Sequence, residues 1–131
     1  MKQNFLIETS VIIAHLKNLP EAKILNTLSG NFFSSVICLG ELYEGIFLVK
    51  ERDQKKVKNG INNFFQSLDG ILAVSDEIAK NFGMIRSQLR KRGQIIEDLD
   101  LLIGATCLTH NLTLVTLNLK HFKRIPNLKI V

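Results

Sequence analysis

Three acidic residues of this chain stand where local structure could aim them at a common point. Glu8 follows the apolar run Asn4 to Ile7, Glu41 lies inside a long segment with an apolar stripe, and Asp100 heads the run Leu101 to Leu108. Hydroxyl and amide side chains accompany them: Thr9 and Ser10 beside the first acid, Thr116 and Asn118 late in the chain. Gathered carboxylates repel, two charges ~4 Å apart by roughly 4 kcal/mol at an effective dielectric of 20. A divalent cation reverses that sign. Oxygen ligands with several waters retained suit Mg²⁺ or Mn²⁺, and such an ion could activate water and hold a phosphodiester for in-line attack. By spacing alone, the same acids read more readily as helix caps and solvated side chains, because 12 Asp and Glu are scattered over 131 residues.

The elements around these residues decide whether they can meet. Asn4 to Ile7 reads as a strand, and the hydroxyls of Thr9 and Ser10 can cap a helix starting with Val11 to Leu16. Pro20 with Glu21 opens a second short helix, which Ser29-Gly30-Asn31 breaks before a β-leaning Phe32-Phe33. Ser34-Ser35 offer a cap for a longer helix, in which Leu39, Leu42, Ile46 and Val49 form a buried stripe. Glu41 and Glu44 lie off that stripe. Lys50 to Asn59 is mostly charged and polar, while Val57, Ile61, Phe64 and Phe65 supply a weaker helical stripe that runs to Leu68. Asp69-Gly70 marks a turn, and Ile71 to Val74 a strand.

Ser75, Asp76 and Glu77 begin another helix, with Ile78, Phe82, Ile85 and Leu89 toward the core and Gly93 as its stop. Glu97-Asp98-Leu99-Asp100 places carboxylates at the start of the next helix, where its dipole favours anions, and Asn111 is a left-handed cap at its end. Leu112 to Thr116 and Leu128 to Val131 complete the strands. Alternating strands and helices specify an α/β fold, a central parallel sheet flanked by helices on both faces. Sites in such sheets form at the carboxyl ends of strands, where Glu8, Thr116 and Asn118 fall.

A length of 131 residues with 46% hydrophobic content fits one domain, residues 1–131. The net charge of +5, from 17 Lys and Arg against 12 acids, favours polyanionic or acidic-protein partners. Within that excess, Arg86, Arg90, Lys120, Lys123 and Arg124 are candidate RNA contacts, with solvated surface as the competing reading. Cys38 and Cys107 sit in apolar stretches without a CxxC pair, which implies buried thiols and a cytoplasmic setting. Glu8 interrupts the first apolar run, arguing against a signal peptide, and no uncharged run approaches the ~18 residues of a membrane helix. His15, His110 and His121 lack zinc spacing, and no phosphate-loop or dinucleotide fingerprint occurs. Phe32, Phe33, Phe64 and Phe65 read as core packing before base stacking.

The segments Phe5-Leu6-Ile7-Glu8-Thr9-Ser10-Val11-Ile12-Ile13 and Ser34-Ser35-Val36-Ile37-Cys38-Leu39-Gly40-Glu41-Leu42-Tyr43-Glu44-Gly45 carry a further signal. So do Gly83-Met84-Ile85-Arg86, Leu89-Arg90-Lys91-Arg92-Gly93, Ile96-Glu97-Asp98-Leu99-Asp100-Leu101-Leu102-Ile103-Gly104-Ala105, and Leu114-Val115-Thr116-Leu117-Asn118 with Phe122. Together they resemble a PIN-domain protein of the VapC toxin type, from Phe5 to Val131. The resemblance implies a metal-dependent endoribonuclease, a toxin restrained by a cognate antitoxin and expected to form a homodimer. It makes Glu8, Glu41 and Asp100 the catalytic, Mg²⁺- or Mn²⁺-binding acids, with Thr9, Ser10, Asp98, Thr116 and Asn118 as polar support. Residues two apart on a helix do not share a face, so Asp100 is preferred over Asp98, which becomes a helix cap. The chain departs from the family at its first acid, ordinarily Asp and here Glu8. It also departs at the variable fourth acidic position, near which only Asn118 and His121 stand. These departures motivate a second expectation, an impaired PIN domain that mainly binds RNA or antitoxin. A phospho-acceptor signalling domain would need a paired acid beside the first strand, whereas Glu8 stands alone.

Overall fold

The computed structural model describes residues 2–131. Its elements are β1 (Gln3–Ile7), α1 (Thr9–Leu16), a 3-10 helix (Pro20–Thr27), β2 (Gly30–Ser35), α2 (Val36–Leu48), α3 (Glu51–Gln66), β3 (Gly70–Leu72), α4 (Asp76–Lys91), α5 (Asp98–His110), β4 (Thr113–Val115) and α6 (Leu119–Phe122). The four strands form one parallel sheet in the order β3-β2-β1-β4. The first strand of the chain is thus an inner one. Phe5 is in register with Phe32 on one side and with Thr113 on the other.

Helices cover both faces, which is why β1 is apolar without alternation. Leu6 and Leu114 join Ile78, Ile85, Leu89, Leu101 and Ile103 in a core under α4 and α5. Phe5, Ile7 and Val115 point the other way, into a core with Val11, Ile12, Leu42, Ile46, Ile61, Phe64 and Phe65 from α1, α2 and α3. Phe5 and Phe32 stack there with ring centroids 5.5 Å apart.

Caps define several boundaries as the sequence implied. Ser35 Oγ accepts from Ile37 N at 3.0 Å and Ser75 Oγ from Ile78 N at 3.2 Å. Asn111 ends α5 at φ 53°, and Gly93 follows α4 at φ 68°. Other expectations are corrected. Thr9 and Ser10 do not cap α1: Glu8 holds the cap position without a side-chain cap bond, and both hydroxyls turn to carboxylates instead. Val49 lies beyond α2, and Cys38 takes a place in the buried stripe. The weaker stripe from Val57 is helical as read, and α3 also takes in most of the polar stretch Lys50 to Asn59, where Glu51 and Asp53 suit its first turn. The strand expected over Ile71 to Val74 is the shorter β3, which starts at Gly70, within the expected turn, and ends at Leu72. The Pro20 segment is 3-10 rather than α. The last predicted strand shrinks to one bridge between Leu114 and Ile130. The short α6, unanticipated, buries Phe122 in the α4 and α5 core.

Gly30 begins β2 at φ 153°, and a Cβ there would sit 2.0 Å from the Gln3 carbonyl oxygen. Gly40 in α2 has no atom within 4 Å of such a position. Gly30→Ala should therefore lower the urea unfolding free energy by about 1–3 kcal/mol from backbone strain alone. Gly40→Ala should raise it by about 0.5–1 kcal/mol.

Candidate active site

Backbone pairing puts Glu8 at the carboxyl end of the sheet. Its N–H donates to the Val115 carbonyl at 3.0 Å, so the residue leaves β1 in step with the end of β4. Only 3% of Glu8 is exposed, and a buried carboxylate requires hydrogen bonds. Ser10 and Thr116 both donate hydroxyl protons to its Oε1, Thr116 at 2.6 Å. The hydroxyls are themselves held by backbone: Leu117 N donates to Ser10 Oγ and Asn118 N to Thr116 Oγ1, each at 2.9 Å.

The other two acids are anchored in the same manner. Thr9 Oγ1 donates to Glu41 Oε1 at 2.7 Å, joining α1 to α2. His121 Nδ1 lies 3.3 Å from Asp100 Oδ2, joining α6 to the first turn of α5. Each acid has one oxygen bound by a protein side chain. No hydrogen bond is formed to the second oxygen of any of the three, and no buried side-chain oxygen is left orphaned among the described residues. The second oxygens therefore reach solvent.

Electrostatics link them. The Glu41 carboxyl is raised above its ordinary range, chiefly by burial, against the Thr9 hydrogen bond, and further by the charges of Glu8, Asp100 and Glu44. Asp100 is raised as well, again first by burial, while His121 and Arg124 oppose the shift. Cys38 lies beside this group, one helical turn before Glu41. Burial pushes its thiol up to about 11, so it stays protonated and is no nucleophile.

Among the described residues no three His, Cys, Asp or Glu side chains stand close enough to hold one ion directly between them. The donor set nevertheless fits a hard divalent cation in kind: oxygen ligands only, mutually repelling, each with one oxygen spare. Mg²⁺ keeps several waters of its own, which a wider carboxylate spacing accommodates.

The supporting residues divide. Thr9, Ser10 and Thr116 each hydrogen-bond one of the acids. Asn118 contributes its backbone N–H, while its side chain makes no hydrogen bond. Asp98 is not a cap; it pairs with Arg86 at 3.0 Å, and Glu97 occupies the cap position. Arg86 is thereby engaged, its guanidinium also 5.9 Å from the Phe82 ring centroid. Arg124 donates to the Ile95 carbonyl at 2.9 Å and braces the loop before α5. Arg90, Lys120 and Lys123 are exposed and form no ion pair among the described residues. His121 as the partner of Asp100 was not anticipated, since a separation of 21 residues across a strand and a turn leaves no periodic trace.

Residues 5–128, which span the parallel sheet and the acids at its carboxyl end, match the PIN domain family. The chain belongs to that family. It is 32% identical over 128 residues to ribonuclease VapC2 of Rickettsia felis, covering 95% of this chain and 93% of that protein. It is 36% identical over 124 residues to ribonuclease VapC1 of Methanocaldococcus jannaschii, covering 95% and 82%. The fold superposes with a TM-score of 0.86 on the structure of VapBC2 from Rickettsia felis bound to a DNA fragment from its promoter, at 28% identity and 98% coverage of both chains.

The raised carboxyls have a signed consequence. A carboxyl with a raised folded-state pKa binds its proton more tightly folded than unfolded, so stability declines as pH rises through the interval between the two values. Glu41→Gln with Asp100→Asn removes both titrations. Urea midpoints followed from about pH 4, the ordinary carboxylate value, to pH 7 should fall less in this double variant than in the parent.

Proposed function

We propose that this chain is a divalent-metal-dependent endoribonuclease, the toxin of a toxin–antitoxin pair, in which Glu8, Glu41 and Asp100 hold Mg²⁺ or Mn²⁺. The observation that carries this reading is the common plan of the three acids, each tied through one oxygen and open at the other. Its curated relatives bear the name ribonuclease, which supports RNA as the substrate. When bound, the cation supplies Lewis-acid polarisation of the phosphodiester and lowers the pKa of water.

The chain's own residues do the rest. Ser10 and Thr116 orient Glu8, Thr9 orients Glu41, and His121 orients Asp100. The exposed Lys120, Lys123 and Arg90 offer cations to RNA phosphates. The solved relative in complex form, VapBC2, supports a cognate antitoxin as partner, and the charge of +5 suits an acidic one. The same reading carries a homodimer and a cytoplasmic setting. No helix among the described residues is long and apolar enough to cross a membrane.

Sequencing of RNA ends after induction tests the reading. The parent should generate new, discrete ends, and Asp100→Asn should lose at least about 10²-fold of that cleavage, the scale of removing one group that stabilises transition-state charge. Purified protein that cleaves no RNA in either metal would sink it. Binding of RNA in chelator should weaken with salt, and Lys120→Ala with Lys123→Ala should reduce the slope of log affinity against log salt by about 0.7 per residue.

A further inference from the structure

We propose that the site is built to the length of Glu8: Ser10 and Thr116 are positioning residues that seat its Oε1, and Asp at this place would be the poorer metal ligand. The inference rests on the reading of Glu8 as a ligand.

The seat comes from two distant parts of the chain. Ser10 is in the first turn of α1, Thr116 follows β4, and their oxygens lie 3.5 Å apart across 106 residues of sequence. Both donate to the same oxygen of Glu8. A hydroxyl has one proton, and here its direction is fixed. The Leu117 and Asn118 amides donate into Ser10 Oγ and Thr116 Oγ1, leaving both hydroxyl protons for the carboxylate. Oε1 is thereby filled, and Oε2 is the oxygen left for an ion.

Shortening the side chain withdraws the carboxylate by one carbon–carbon bond, about 1.5 Å. A contact of 2.6 Å between Thr116 and the acid then passes beyond hydrogen-bonding distance. The seat cannot follow, because Leu117 and Asn118 are in the backbone that connects β4 to α6, and Ser10 is fixed in α1. The freed carboxylate would swing between orientations, and its oxygens would no longer be presented as one seated and one open. On this geometry the added methylene of Glu8 is matched by its surroundings, contrary to the expectation that it impairs the site.

Calorimetric titration of the purified chain with Mn²⁺ alone, without RNA, tests this. Glu8→Asp should weaken Mn²⁺ binding about tenfold or more, the range found when partners that orient metal ligands are removed. Thr116→Val should do the same, and Thr116→Ser, which keeps the hydroxyl, should bind as the parent does. Glu8→Asp combined with Thr116→Val should lose less than the product of the single losses, because the two act through one contact. Ser10→Ala carries the same expectations as Thr116→Val should the latter fail to fold. Equal or tighter Mn²⁺ binding by Glu8→Asp, or fully multiplicative losses, overturns the proposal while leaving the metal site intact. A parent that binds no Mn²⁺, or whose affinity Asp100→Asn leaves unchanged, overturns the metal-site reading and the proposal with it.

Discussion

A carboxylate placed at the end of a strand buried on both faces must be compensated, and much of this molecule is arranged around that requirement. Glu8 leaves β1 where water has little access, so its charge is carried by hydroxyls rather than by solvent. Those hydroxyls reach it only if α1 turns directly out of β1 and if β4 ends level with it. The backbone bond from Glu8 to Val115 enforces the second condition. The two cores on opposite faces of the sheet then fix the angle of everything above them.

The remaining acids obey the same logic at lower cost, because both are only partly buried. Each is bridged by a side chain from a different element: Thr9 of α1 for Glu41 of α2, and His121 of α6 for Asp100 of α5. Four helices are therefore cross-linked through polar contacts at one rim of the sheet. The apolar cores bring these helices near; the hydrogen bonds select their register. Burial at this rim is the first cause that raises the carboxyls of Glu41 and Asp100, and the charges of Glu8 and Asp100 add to the shift of Glu41.

The strands, the order of the long helices and the caps at Ser35, Ser75 and Asn111 were legible in the sequence, because they arise from local chemistry: periodic apolar residues, hydroxyl caps and a left-handed Asn. The acids were legible as residues, and their family-like segments selected three from among twelve. Their partners were not. The hydroxyls of Thr9 and Ser10 satisfy a cap pattern equally well, and only the three-dimensional meeting of β1, α2 and β4 draws them to carboxylates. Asp98 was misjudged for a similar reason, since Arg86 lies on another helix and its pull has no local sign. The edges of β3 and the final bridge at Ile130 escaped because short pairings depend on the neighbouring strand more than on their own residues.

The order of the strands also sets when the molecule becomes complete. β1 is made first, yet one of its two neighbours is β4, which lies beyond residue 112. Contacts so distant in sequence form late, since the loop between them must close before pairing rewards it. On a ribosome, Glu8 therefore waits for Thr116, and Asp100 for His121, until nearly all of the chain has emerged. Any shortened product that stops before β4 lacks both contacts, so premature termination yields a fragment without an assembled rim.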